Sequence, residues 1–199
     1  MAFNKSLYQK IVWANVIFRL TLGPTIFISV WVASLLTFLL DWVDGEFFKR
    51  AYYPRSQYNF YDKLLDYYWY IFILIYIFLY QVPSRNIFLF LFLFRSLGQI
   101  LLSLTKKELY LFFFPNLFEI LFFFYLFTTL IPKWQPLMFF PKIIYPLGVI
   151  LPGALIREYI LHIKKMNLSG LFTGKTTYWV DDKKTRQYLA PGYKQHKEK

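Results

Sequence analysis

The chain has 199 residues, 57% of them hydrophobic and 24% aromatic, no cysteine, and a formal net charge of +12. Without cysteine, disulfides and thiolate metal sites are excluded. The basic residues sit at the ends of long apolar runs and in the last stretch of the chain, so their excess reads as membrane sidedness and not as a nucleic-acid surface.

Apolar runs such as YIFILIYIFLY, NIFLFLFLF and LFFFYLF are longer than the core of a soluble domain absorbs. A bilayer core of about 30 Å takes roughly 20 apolar residues per helix. The runs are continuous instead of alternating, which argues against a membrane β-barrel. The expectation is an all-α integral membrane protein: one transmembrane helical domain over 1–163, then a basic cytoplasmic tail over 164–199, in contact with membrane lipids and not with nucleic acid. The opening residues MAFNKSLYQKIVWAN lack an apolar core followed by a small-residue cleavage site, so no removable leader is expected.

The first two predicted helices cover about 3–22 and 24–40. The LGPT tetrapeptide at 22–25 offers a glycine where one helix stops and a proline where the next starts. Lys5, Gln9, Lys10, Asn15 and Arg19 make the first helix weakly hydrophobic, so it is either a short span or an interfacial helix. Four more spans are predicted over about 65–82, 87–104, 109–131 (with Pro115 as a kink) and 143–163, giving six. An even number of spans separates the 41–66 segment from the tail, which places both on one side. The tail holds nine Lys or Arg against three acids, so that side is the cytoplasm.

Between the second and third predicted spans lies DWVDGEFFKRAYYPRSQYNFYDKLLD, residues 41–66, which holds four of the six aspartates. Asp41 and Asp44 are three apart and Asp62 and Asp66 four apart, so each pair shares a helix face. If the two faces meet, four carboxylates converge. They cannot all stay ionised in a partly dry site without a compensating cation. The chemistry this suggests is a hard divalent ion, Mg²⁺ or Mn²⁺, on oxygen ligands, with Asp66 free to accept a proton if it is not a ligand. The bland alternative is a solvated, charged loop.

The segment resembles the signature of the CDP-alcohol phosphatidyltransferases, D-x2-D-G-x2-A-R-x8-G-x3-D-x3-D, at Asp41, Asp44, Gly45, Asp62 and Asp66. It differs at Phe48-Lys49 and at Tyr58, which stand where the family has Ala-Arg and its second glycine. ANVIFRLTLGP at 14–24 is similar to an Asn…Arg…Pro pattern near the family's amino terminus. The resemblance implies a six-helix bundle of that family's type, with a first helix that is short or interfacial. It also implies transfer of a phosphatidyl or phosphoalcohol group from a CDP-linked donor to an acceptor alcohol with release of CMP, in phospholipid synthesis. Asp41, Asp44 and Asp62 would hold the metal, Asp66 would be the base, and Gly45 would let the nucleotide approach; a homodimer is expected on the same ground. Lys49, Arg50 and Tyr58 are candidate ligand contacts. The changes at Phe48 and Tyr58 motivate the alternative: a catalytically inactive membrane protein of the same fold that binds metal or nucleotide, or a transporter.

Arg95 and Glu119 are mid-span charges. Arg95 and Glu119 lie at similar depth in adjacent antiparallel spans, so an Arg95–Glu119 ion pair is expected, with phosphate binding by Arg95 as the sharper reading. Arg157 either binds a phosphate head group, snorkels, or pairs with Glu158. The tryptophans read as interfacial. His162 and His196 receive no role.

Overall fold

The computed structural model describes residues 5–105 and 107–163, and the predicted tail lies outside the described residues. Among the described residues there are seven α-helices and no strand. These are α1 (Lys5–Thr25), α2 (Val30–Arg50), α3 (Arg55–Leu79), α4 (Arg85–Thr105), α5 (Leu109–Phe113), α6 (Leu117–Leu130) and α7 (Ile144–Glu158). A 3₁₀ segment (Pro132–Met138) joins α6 to α7, and a π turn (Tyr159–Ile163) continues α7. Two helical stretches, Arg85–Thr105 and Ile144–Ile163, are long and apolar enough to cross a membrane.

The helix boundaries differ from those expected. LGPT does not break the chain, because α1 runs through Pro24 and ends one residue later. Proline has no N–H to donate to the carbonyl four residues back. That carbonyl, on Leu20, instead accepts the Tyr68 hydroxyl of α3 at 2.9 Å. Gly23 clears the way, since a Cβ there would come within 2.6 Å of the Tyr68 ring. The tetrapeptide is thus a docking point for α3, and the break falls at 26–29.

The 41–66 segment is not a loop either. Asp41 and Asp44 lie within α2 and Asp62 and Asp66 within α3, with only four residues between the helices. The Tyr52 amide donates to the Lys49 carbonyl and the Tyr53 amide to that of Phe48, both at 3.0 Å, and the Phe48 and Tyr53 rings pack 5.3 Å apart. This is a Schellman stop with its hydrophobic contact. It puts Tyr52 at φ 60 without a glycine, a conformation that costs about 1–2 kcal/mol. Pro54 then caps the start of α3. The same device ends α3: Val82 donates to Ile77 across Gln81 at φ 50, and Pro83 follows.

The third predicted span, 109–131, is split at 114–116 into α5 and α6. Asn116 caps α6, its side chain accepting from the Glu119 amide and donating to the Glu119 carboxylate at 2.7 Å.

The main core lies between α3, α4 and α6, where Phe118 packs edge-on against Tyr70, Phe88 and Phe92 at 5.6, 6.2 and 5.6 Å. A smaller core, with Val12, Val16, Phe48 and Leu65, ties α1 to α2 and α3 beneath the acidic residues. The outer face of α4 carries Phe90, Leu93, Leu97, Ile100 and Leu104, all exposed and spaced so that they form one stripe. On α7, Tyr145, Val149 and Ile156 are exposed in the same manner.

Candidate metal centre and its internal cations

Because Asp41 and Asp44 face inward on α2, and Asp62 and Asp66 do so on α3, the four carboxylates converge. A side chain from α1 stands among them. Arg19, whose side chain is 2% exposed, has Nη2 at 3.1 Å from Asp41 and 3.0 Å from Asp66, and Nη1 at 2.5 Å from Asp44 and 3.9 Å from Asp62. A second cation, the Lys63 ammonium, lies 2.5 Å from Asp62 and 2.9 Å from Asp66. The formal balance is four carboxylates against one guanidinium and one ammonium, so two negative charges are not compensated within the cluster.

The donor set suits a hard divalent cation. One oxygen from each of Asp41, Asp62 and Asp66 lies within 4.8 Å of the others, and the surplus of two negative charges would be balanced by a doubly charged ion. Yet both oxygens of Asp62 and of Asp66, and Oδ1 of Asp41, already face Arg19 or Lys63. The residues fit the metal if both cations are drawn off their partners.

The departures from the signature have visible consequences. The Tyr58 hydroxyl donates to Asp44 at 3.1 Å, and a Cβ on Gly45 would meet that hydroxyl at 3.3 Å. The phenol therefore occupies the space beside Gly45. Phe48 is buried against the rings of Tyr53, Tyr58 and Tyr61. Lys49 is buried. Arg50 turns away from the aspartates, donating to Glu46 at 2.7 Å and to the Tyr8 hydroxyl at 3.0 Å while lying over the Tyr8 ring.

Arg95 is not paired with Glu119. It donates to the carbonyls of Phe114 (2.7 Å) and Leu111 (3.3 Å) at the end of α5 and lies 3.5 Å from Glu158. The carboxyl end of a short helix presents unsatisfied carbonyls that attract a cation. Gly98 allows this approach, because a Cβ there would come within 2.5 Å of the Phe114 Cβ. Glu119 is meanwhile held by the Asn116 cap. The N-x-x-E pattern at 116–119 is the sequence signal for that cap. Arg157 is half-buried, and the charges acting on it are foremost Glu158, then Glu119 and Asp41.

His162, given no role from sequence, lies 3.0 Å from Glu158 and 3.5 Å from Glu108. Its spacing of four from Glu158 on a helical segment was a readable signal. Glu108 also receives Arg55, at 3.1 and 2.9 Å, and the Asn59 amide at 2.8 Å. Burial pushes the Glu108 carboxyl up, but the His162 imidazole and the Arg55 guanidinium outweigh it and hold it down at about 2. The structure thus brings together all four aspartates with Gly45 and Tyr58, adds Arg19 and Lys63, and places Arg50 and Arg95 elsewhere. No protein-family model, no curated protein and no solved structure matches this chain.

Proposed function

We propose that the chain is a non-catalytic, multi-pass helical membrane protein in which the acidic motif acts as a charge clamp joining α1, α2 and α3. The observation that carries this reading is the contact of one buried guanidinium with all four aspartates. Arginine keeps its charge at every accessible pH and presents five fixed donors, so it satisfies several carboxylates at once. Displacing it would leave a buried charge to be rehoused. The Tyr58 phenol also takes the room beside Gly45 that a nucleotide would need. The apolar stripes of α4 and α7 would face lipid, and the basic residues beyond 163 would lie on the cytoplasmic side. The test is CMP release from a CDP-linked lipid, with Mn²⁺ or Mg²⁺ and a panel of acceptor alcohols. The expected result is no release above background from the folded protein.

One observation favours a second reading, a CDP-alcohol phosphotransferase. It is the oxygen trio of Asp41, Asp62 and Asp66 together with the cluster's surplus of two negative charges. In that reading the resemblance would give Asp41, Asp44 and Asp62 to Mg²⁺ or Mn²⁺ and the acceptor proton to Asp66, whereas the trio has Asp66 in place of Asp44 among the ligands; the metal's chemistry would be to neutralise the donor diphosphate and the leaving CMP. Arg19 and Lys63 would turn towards phosphate oxygens, and Asp66 would serve as base only if Asp44 took its place on the metal. A homodimer rests on the family resemblance alone. Metal-stimulated CMP release that is lost in Asp66→Asn would establish this reading and overturn the clamp.

A further inference from the structure

The four aspartates do not commit their oxygens equally. Arg19 takes one oxygen each of Asp41, Asp44 and Asp66 and faces one of Asp62. Tyr58 donates to the other oxygen of Asp44, and Lys63 takes the second oxygens of Asp62 and Asp66. Asp41 Oδ2 is left over, without a hydrogen bond or ion pair among the described residues.

Thr37 and Ser34 precede Asp41 by four and seven residues, one and two turns back along α2, and so share its helix face. Helical side chains lean towards the helix start, which tilts the Asp41 carboxylate over the turn that carries Thr37. Thr37 and Ser34 are 3% and 0% exposed, and neither hydroxyl has a hydrogen-bond partner among the described residues. Other buried hydroxyls close on their own helix: Ser96 donates to the Phe92 carbonyl and Thr128 to that of Tyr125, both at 2.7 Å. Ser34 and Thr37 forgo that bond, although a buried hydroxyl left without a partner is costly.

Three oxygens on one face, one of them anionic, stand beside a cluster with two uncompensated negative charges, a donor set that suits a cation. The donors also set its charge. Two are neutral hydroxyls and the third is a single carboxylate oxygen, whereas a hard divalent ion draws on several carboxylates. Arg19, 3.1 Å from the other oxygen of Asp41, repels a double charge more than a single one. We infer that Ser34, Thr37 and Asp41 Oδ2 form a site for one small monovalent cation of the sodium type, with water completing its shell. Arg19 and Lys63 keep every partner when it fills, so the site stands beside the clamp and does not depend on the divalent reading.

The test is thermal unfolding of the full chain in micelles, in sodium chloride and in choline chloride at equal ionic strength, since the choline cation is too bulky to enter between packed helices. The midpoint should rise saturably with sodium above its value in choline, as binding to the folded state requires. Thr37→Val keeps the shape of the side chain and removes its oxygen. In that variant and in Ser34→Ala, half-saturation should need roughly tenfold more sodium, the worth of one polar contact to a charge. Equal midpoints in the two salts, a rise given by magnesium chloride but not by sodium chloride, or an unchanged sodium response in both variants would each overturn the site. The comparison of salts in the unaltered chain keeps the site open to refutation even if neither variant folds.

Discussion

At Arg19, four carboxylates share one guanidinium and one ammonium; at Glu158, a single carboxylate gathers Arg95, His162 and a backbone amide. The first region is rich in anions, so its members repel one another and depend on a few cations. In the second, each carboxylate has more than one donor. In the anion-rich cluster the cation is therefore indispensable and an individual acid expendable, whereas around Glu158 the acid is indispensable.

The strongest way to break that contrast is to remove the shared cation. Arg19→Leu should cost about 3–5 kcal/mol, because it leaves buried carboxylates uncompensated. Denaturant unfolding in micelles measures this. A loss below about 1 kcal/mol would mean that the aspartates separate freely and the clamp holds little together.

A sharper comparison neutralises one acid in each region. Glu158→Gln should cost roughly 2–4 kcal/mol, since Arg95 loses its charged partner in a buried site. Asp41→Asn should change stability by less than about 1 kcal/mol in either direction. Asp41 is the most exposed of the four, at 27%, its removal relieves repulsion, and Arg19 keeps Asp44 and Asp66. Equal costs in the same unfolding assay would refute the charge-balance argument.

The smallest effect tests the phenol. Tyr58→Phe removes the hydrogen bond to Asp44 but keeps the ring, and should cost about 1 kcal/mol. A clearly larger loss would show that Tyr58 supports Asp44 as much as Arg19 does.

The pairs Asp41/Asp44 and Asp62/Asp66 were legible from spacing alone, because residues three or four apart share a helix face wherever the helix ends lie. The ends themselves do not follow from spacing. LGPT carries the letters of a helix break, and nothing local says that Tyr68 supplies the donor for the Leu20 carbonyl that Pro24 leaves without one. The Schellman turn at 51–53 places a tyrosine where glycine is the usual signal, so α2 and α3 ran longer than expected. Depth alone pairs Glu119 with Arg95, as an uninterrupted span would justify; the break at 114–116 gives each of them a nearer partner.

By itself the sequence determined the all-helical class, the apolar faces and the two acidic pairs that each share a helix face, since these follow from composition and from the 3.6-residue period. Only the tertiary structure decided which cations answer those acids. Arg19 meets Asp66 across 47 residues and Arg55 meets Glu108 across 53. A charge chooses its partner by distance in space and by the desolvation that packing imposes, and neither is written in local spacing.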